Sequence, residues 1–148
     1  MREKSNIIIN EQKGFTIIEV LVAISILTVG LLAVASMQVS AIRGNHMSDN
    51  VTIAVALAEE KMEQLLNLDY GDTDLKDSVT GNNANLSSIL SIDHEESNID
   101  ETGAAGGHFR RIWNIADSTP ITNNKTITVI VTWQNNKHKV NISSIKRL

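Results

Sequence analysis

The chain has 148 residues and a formal net charge of −4, which argues against nucleic-acid binding through a broad basic surface. It contains no cysteine, so disulfide bonds, thiolate metal sites and cysteine nucleophiles are excluded. This length predicts one domain plus an appended segment. The sequence after about residue 70 is polar and can bury only a small core.

An apolar run occupies residues 15–35, and its only polar members are Thr16, Glu19, Ser25 and Thr28. A helix of about 20 residues spans the roughly 30 Å hydrocarbon core of a bilayer. The run therefore predicts a single membrane-spanning helix. Lysine and arginine exceed acids by one charge in the residues before it, which places the N-terminus on the cytoplasmic side.

The carboxylate of Glu19 is the unusual feature of this run. An uncompensated charge inside a bilayer costs roughly 2.5–3.5 kcal/mol on insertion scales, so an ionisable group there is a functional hypothesis by default. A secretory signal peptide cut before Ser36 is one alternative, because Ala33-Val34-Ala35 offers a small-x-small pattern. A plain signal anchor of a periplasmic domain is another, although it gives Glu19 no role.

The residues around the start of the run resemble a known leader. A short charged segment ends in Lys13-Gly14, and Phe15, Thr16 and Glu19 open the apolar helix. This arrangement resembles the class III leader of type IV pilins and pseudopilins, in which a prepilin peptidase cuts after the glycine and methylates the new amine. The resemblance implies a leader at 1–14, processing between Gly14 and Phe15, N-methylation of Phe15, and an assembly role for Phe15, Thr16 and Glu19.

The implied partners are prepilin peptidase and other pilin subunits, which would be contacted through the N-terminal helix. The implied location is the bacterial inner membrane as a single-pass protein, and then a periplasmic or extracellular pilus. Cleavage would create a positive amine four residues before Glu19, and positions i and i+4 share one face of a helix. We therefore expect Glu19 to pair with an amine, its own or a neighbour's, and to set the register of helix packing.

Residues 36–68 are predicted to continue the helix with one apolar stripe, which packs on the domain. The stripe contains Met47, Val51, Ala54, Ala58, Met62 and Leu65, and the solvent face contains Glu59, Glu60, Lys61, Glu63 and Gln64. Gly44-Asn45 predicts a bend or local loosening, and the helix is expected to end near Leu68.

Residues 69–107 are rich in turn formers and predict a connecting loop, with a possible short helix over 85–92. Alternation of period two after it predicts three antiparallel strands within 108–148, with Trp113 and Trp133 in the core and a turn at Asn135-Asn136. Arg110-Arg111 is expected at a solvated strand end. The fold class is therefore α+β, a long N-terminal helix packed on a small antiparallel sheet, as in type IV pilins.

No catalytic site, cofactor or metal site is predicted. The four histidines lie in four different segments without ligand spacing. The acidic run of Asp69, Asp72, Asp74 and Asp77 lacks the glycine and closing glutamate of an EF-hand. A solvated loop is the prediction for this run, and calcium binding is the alternative.

Three further segments resemble PilV-type minor pilins: residues 56–65, the Arg-x-Trp at 111–113, and the strand at 125–133. The chain also lacks the cysteine pair of many major pilins. The resemblance implies a PilV-like minor pilin, processed by prepilin peptidase, that takes part in type IV pilus assembly or initiation. A type II secretion pseudopilin is the first alternative, and a signal-anchored periplasmic binding module is an alternative of another class.

Overall fold

The computed structural model describes residues 14–148 and has an α+β fold, a pilin-like arrangement of one long N-terminal helix and a four-stranded antiparallel sheet. The fold class predicted from the sequence is confirmed. Most of the predicted leader, residues 1–13, lies outside the described residues. The helix and strands are α1 (Ile17–Asn67), β1 (His94–Ile99), β2 (Ala105–Asp117), β3 (Asn124–Trp133) and β4 (His138–Arg147).

The chain divides into two units, one up to Gly44 and one from Asn45 to Leu148. Helix α1 contributes residues to both units and is helical through Gly44-Asn45, where the sequence predicted a bend or loosening. Its end at Asn67 agrees with the predicted end near Leu68. The two units are described separately below.

The second unit is built on a sheet in which each strand pairs with its sequence neighbour, in the order β1-β2-β3-β4. Connections between such antiparallel neighbours need only short loops. The turn between β3 and β4 contains Asn135 and Asn136 with φ of 57° and 62°, as the sequence predicted. Asparagine tolerates this left-handed backbone better than most residues do.

The apolar stripe of α1 packs in the core, as predicted, through Ala54, Ala58, Met62 and Leu65. Val51 was wrongly placed in that stripe, because it is exposed and Asn50 is buried instead. Both tryptophans are buried, which confirms their predicted core position. The largest fully buried side chains include Trp133, Phe109, Leu57, Leu65, Leu75, Ile112, Ile115, Ile127 and Ile130.

The predicted connecting segment is more ordered than expected. It contains strand β1, the first residues of β2, and two 3₁₀ helices at Thr73–Leu75 and Thr80–Asn82. The three predicted strands correspond to β2, β3 and β4, and the sheet has a fourth strand, β1, that was not predicted. Strand β1 has no apolar alternation that reveals it in the sequence, since its residues are His-Glu-Glu-Ser-Asn-Ile. It forms by pairing with β2, the next strand in the chain.

The predicted short helix over 85–92 is also wrong, because this segment forms turns and bends. The Ser88 hydroxyl accepts hydrogen bonds from the Leu90 and Ser91 amides, and such local side-chain bonds compete with a helix. The amide nitrogen of Asn114 donates to the carbonyls of Leu86 and Ser88. The segment is therefore held against β2, where Asn114 is fully buried.

Candidate processing and assembly site

The predicted cleavage junction lies just before the helix. Gly14, Phe15 and Thr16 are not helical, and Ile17 is the first helical residue. Phe15 is 83% exposed, and apart from its chain neighbours no described residue has an atom within 4 Å of the position that a Cβ on Gly14 would take. No other part of the described chain therefore covers the peptide bond between Gly14 and Phe15.

Thr16 and Glu19 form the beginning of the helix. The Thr16 hydroxyl accepts a hydrogen bond from the Glu19 backbone N–H at 3.3 Å, and the Thr16 carbonyl accepts one from Val20 at 3.2 Å. Threonine at the N-cap followed by glutamate three residues later is the sequence pattern of a capping box. This capping role was not predicted from the sequence, although the Thr-x-x-Glu pattern indicates it.

The position of Glu19 also suits the helix dipole. A carboxylate in the first turn interacts favourably with the partial positive charge of the helix N-terminus. The predicted pairing of Glu19 with an amine on Phe15 used the i, i+4 relation within a helix. Phe15 lies outside the helix in the uncleaved chain, so this pairing stays a prediction for the processed protein.

Helix α1 is long and apolar enough to cross a membrane, and its most apolar window is not buried by any other part of the described chain. The polar side chains in this part are satisfied internally. Ser25 donates to the Leu21 carbonyl and Thr28 to the Ile24 carbonyl, each at 2.8 Å. Glu19 is the one charged side chain of residues 15–35, and among the described residues it forms no ion pair.

A second polar cluster, which we call the ion cluster, lies between α1 and the sheet and consists of Lys61, Glu96 and Arg111. The Glu96 carboxylate pairs with the Lys61 ammonium at 2.8 Å and with the Arg111 guanidinium. Arg111 also donates to the Leu57 carbonyl at 3.1 Å, and the Lys61 ammonium lies 4.0 Å above the Trp113 ring.

This cluster corrects two predictions. Lys61 was placed on the solvent face and Arg111 at a solvated strand end, yet both are buried. The reason is that Glu96 on β1 supplies their counter-charge. Burial raises the pKa of the Glu96 carboxyl, but hydrogen bonds from Lys61 and Arg111 and their positive charges outweigh it. The pKa of Glu96 therefore lies below its ordinary value of 4.5.

The histidines of the sheet serve in packing. His94 stacks on Trp113 with ring centroids 5.2 Å apart, and His138 stacks on Trp133 at 5.5 Å. Across residues 14–148, no group of three or more histidine, aspartate or glutamate side chains is placed to hold a metal ion.

A cleft of about 560 Å³ is lined by residues of α1 and of the β1–β2 hairpin, including Asn50 and Phe109.

The family model of the prokaryotic N-terminal methylation motif matches residues 9–35. This range contains the open Gly14–Phe15 junction, the Thr16 cap and Glu19. Comparison with curated proteins gave no match, and comparison with solved structures gave none either.

The motif points to a structural rather than an enzymatic protein. Together with the apolar helix, it fits membrane anchoring followed by assembly with pilins. The match supports a place for this chain in the type IV pilin and pseudopilin superfamily, as a type IV pilin-like protein processed by prepilin peptidase.

Proposed function

We propose that this protein is a PilV-like minor pilin that takes part in the assembly or initiation of a type IV pilus. The observation that carries the proposal is the N-terminal segment, in which an open Gly14–Phe15 junction precedes an apolar helix with one carboxylate. The absence of cysteine argues against a major pilin with a disulfide-closed loop. In this proposal the second unit is exposed on the pilus and determines which subunits or partners it contacts.

The apolar half of α1 supports an assembly role because its surface needs a covering partner. Ile17, Ile26 and Val29 are each more than two thirds exposed, and so large an apolar surface is stable only against lipid or other protein. In the membrane, lipid covers it. In a pilus, neighbouring helices cover it, and Glu19 then needs a positive partner because an unpaired buried charge is strongly unfavourable.

The N-terminus of the mature protein distinguishes the candidate functions. We expect mass spectrometry of the protein extracted from membranes to find a methylated Phe15 as the first residue. An N-terminus at Met1 would instead identify a signal anchor, and one at Ser36 a secreted protein. Either of those results would refute processing at Gly14.

The role of Glu19 is tested by Glu19→Val. We expect this variant to insert in the membrane at the wild-type level and to lose incorporation into pili, because it removes the charge that pairs with an amine. Thr28→Val is the matched control, since it removes a hydroxyl that bonds only within the helix, and it should assemble normally. Normal pilus incorporation of Glu19→Val would contradict the proposed role.

The choice between a pilus and a type II secretion system needs a separate measurement. Deletion of the gene should reduce piliation and leave secretion of exported enzymes unchanged. A loss of secretion with normal piliation would instead assign the protein to the pseudopilins of a secretion system.

A further inference from the structure

The cleft of about 560 Å³ lies within the second unit and has no role in the proposed function. One wall is α1, and four of its lining residues have the spacing i, i+3, i+4 and i+7, which places them on one face of the helix: His46, Asp49, Asn50 and Ile53. The other wall is the β1–β2 hairpin, through residues between 100 and 109. Ligand sites are commonly clefts of about 300–1,000 Å³, so a side chain or a small organic molecule would fit.

The cleft is acidic. Asp49, Asp100 and Glu101 line it, and no lysine or arginine of residues 14–148 does so. Within the part of the chain that the structure describes, none of these three carboxylates forms an ion pair. Clefts lined by charges of one sign concentrate ligands of the opposite sign. The cleft therefore favours a cation and repels an anion.

The hairpin turn holds Asp100 in position. Its Oδ1 accepts hydrogen bonds from the Thr102 hydroxyl at 2.7 Å, the Thr102 N–H at 2.8 Å and the Ala104 N–H at 3.0 Å. The hydrogen bond from the Thr102 hydroxyl, followed by those from the backbone, holds the pKa of the Asp100 carboxyl below its ordinary value of 3.8. The carboxylate is therefore charged at neutral pH, and its Oδ2 takes part in none of these three bonds.

Asn50 is the independent indication of a ligand. It is only 5% exposed and lies on the buried stripe of α1, yet its side chain forms no hydrogen bond with another described residue. Its amide atoms are not among the fully enclosed atoms without a partner, so the amide reaches the cleft that the residue lines. An amide buried to this extent is unfavourable unless its hydrogen bonds are made. A ligand in the cleft would supply them.

We propose that this cleft binds an organic cation, an ammonium or guanidinium group on an apolar stem. The three carboxylates attract the charge, and the Asn50 amide bonds to a polar group of the same ligand. Ile53 and Phe109 supply apolar surface for the stem. A metal ion is not the proposed occupant, because the described residues place no group of three histidine, aspartate or glutamate side chains to hold one.

This chemistry has two sources, a lysine or arginine side chain of another protein and a free alkyl amine. A peptide group offers both an N–H donor and a carbonyl acceptor, which match the oxygen and the NH₂ group of the Asn50 amide. An alkyl diamine offers donors alone. We therefore expect a lysine within a peptide to bind more tightly than the bare amine. The proposal is independent of whether the protein is a pilin.

The test is an NMR titration of the full-length, isotope-labelled protein in non-ionic detergent at neutral pH and low salt. The probes are cadaverine and three blocked tripeptides, in which alanines flank lysine, norleucine or glutamate. Norleucine keeps the apolar stem of lysine and lacks its charge. We expect the lysine peptide to shift the Asn50 NH₂ and Gly107 N–H signals with millimolar affinity, and the norleucine and glutamate peptides to bind at least about fivefold more weakly.

The two cationic probes distinguish the sources. Tighter binding of the lysine peptide than of cadaverine supports a side chain of another protein, and the reverse supports a free amine. Absence of shifts with both cations would overturn the proposal. Equal affinity for the lysine and norleucine peptides would overturn it as well, because the charge would then contribute nothing.

Removal of single carboxylates tests the recognition of charge. Asp100→Asn should weaken binding of the lysine peptide by about two- to fivefold, and asparagine can still form the hairpin turn. Glu101→Gln, at an exposed position of the cleft, should weaken it similarly and provides a test if Asp100→Asn does not fold. Asp69→Asn removes the same charge at an exposed position outside the cleft and should leave the affinity unchanged. Equal affinities in all three variants would refute the role of the carboxylates.

Asn50→Leu separates binding from stability. The change replaces the amide by an apolar side chain of similar volume on a buried stripe, so the melting temperature should stay equal or rise. Affinity for the lysine peptide, read at the Gly107 N–H, should fall severalfold. A lower melting temperature with unchanged affinity would show that Asn50 serves the fold alone and would overturn the proposal.

Discussion

Replacement of Glu96 by glutamine tests whether the ion cluster holds α1 on the sheet. The change keeps the shape of the side chain and removes the charge shared by Lys61 and Arg111. Arg111 would keep the Leu57 carbonyl and Glu60, whose carboxylate lies 3.5 Å away and is half exposed. The glutamine amide oxygen can still accept a hydrogen bond from one of the two cations, but its NH2 group then faces the other, and neither cation has an ion pair with residue 96. Among the described residues, Lys61 also keeps its contact with the Trp113 ring.

The expected loss follows from the burial of the partners. Removal of one member of a fully buried ion pair costs about 3–5 kcal/mol, and an exposed pair contributes about 0–1 kcal/mol. The Lys61 and Arg111 side chains are 7% and 6% exposed, whereas that of Glu96 is 33% exposed. We therefore expect Glu96→Gln to lower the free energy of unfolding by about 2–3 kcal/mol, between these limits.

The matched control is Glu95→Gln, one residue earlier on the same strand. Glu95 pairs with Arg110, and their side chains are 42% and 27% exposed, so its loss should cost less than about 1 kcal/mol. Urea denaturation of the full-length variants in detergent, followed by tryptophan fluorescence, measures both values. Equal losses of unfolding free energy in the two variants would refute the argument that burial makes the ion cluster more stabilising than an exposed ion pair.

Three further predictions concern the same unit. The pKa of Glu96 is lowered in the folded state, so the stability that its charge contributes is complete above pH 4.5 and is lost as the pH falls through the lowered pKa. The urea midpoint of the wild type should therefore fall as the pH is lowered through this range, and that of Glu96→Gln should fall less. Gly107→Ala would place a Cβ 2.1 Å from the Ile99 carbonyl oxygen and should lower the free energy of unfolding by about 1–3 kcal/mol or more. Gly81→Ala is the control and should leave the free energy of unfolding nearly unchanged, because its Cβ meets no atom within 4 Å among the described residues. The Lys146 ammonium donates to carbonyls in the last turn of α1, so Lys146→Met should lower the melting temperature by several degrees, as expected for a loss of about 1 kcal/mol. An unchanged melting temperature would show that water replaces the ammonium at these carbonyls at no cost.

The features that were predictable from the sequence are those that nearby residues determine. The apolar run, its single acid and the glycine–phenylalanine junction lie within about twenty consecutive residues, and a motif match covers them. The core positions of Trp113 and Trp133 followed from alternation within single strands. Neighbouring residues were enough in each case, through a motif at the N-terminus and through alternation in the strands.

The features that were missed depend on contacts between different elements of the fold. Strand β1 has no apolar alternation and forms because its residues pair with β2 in register, as in Glu96 opposite Arg111. Lys61 is buried because a carboxylate 35 residues later meets it. A charged residue on an otherwise apolar face looks the same in a sequence whether or not a distant partner exists.

The contact between Arg111 and the Leu57 carbonyl has a mechanical consequence. Arg111 on β2 joins the backbone of α1 to Glu96 on β1, so one side chain connects the two strands of a hairpin to a helix that lies far from them in the sequence. Tension applied to α1 along its axis would load these bonds in parallel with the apolar contacts beside them, and they would have to break together. If the protein is built into a filament through α1, as proposed, the ion cluster is a point at which pulling force passes from the helix into the sheet.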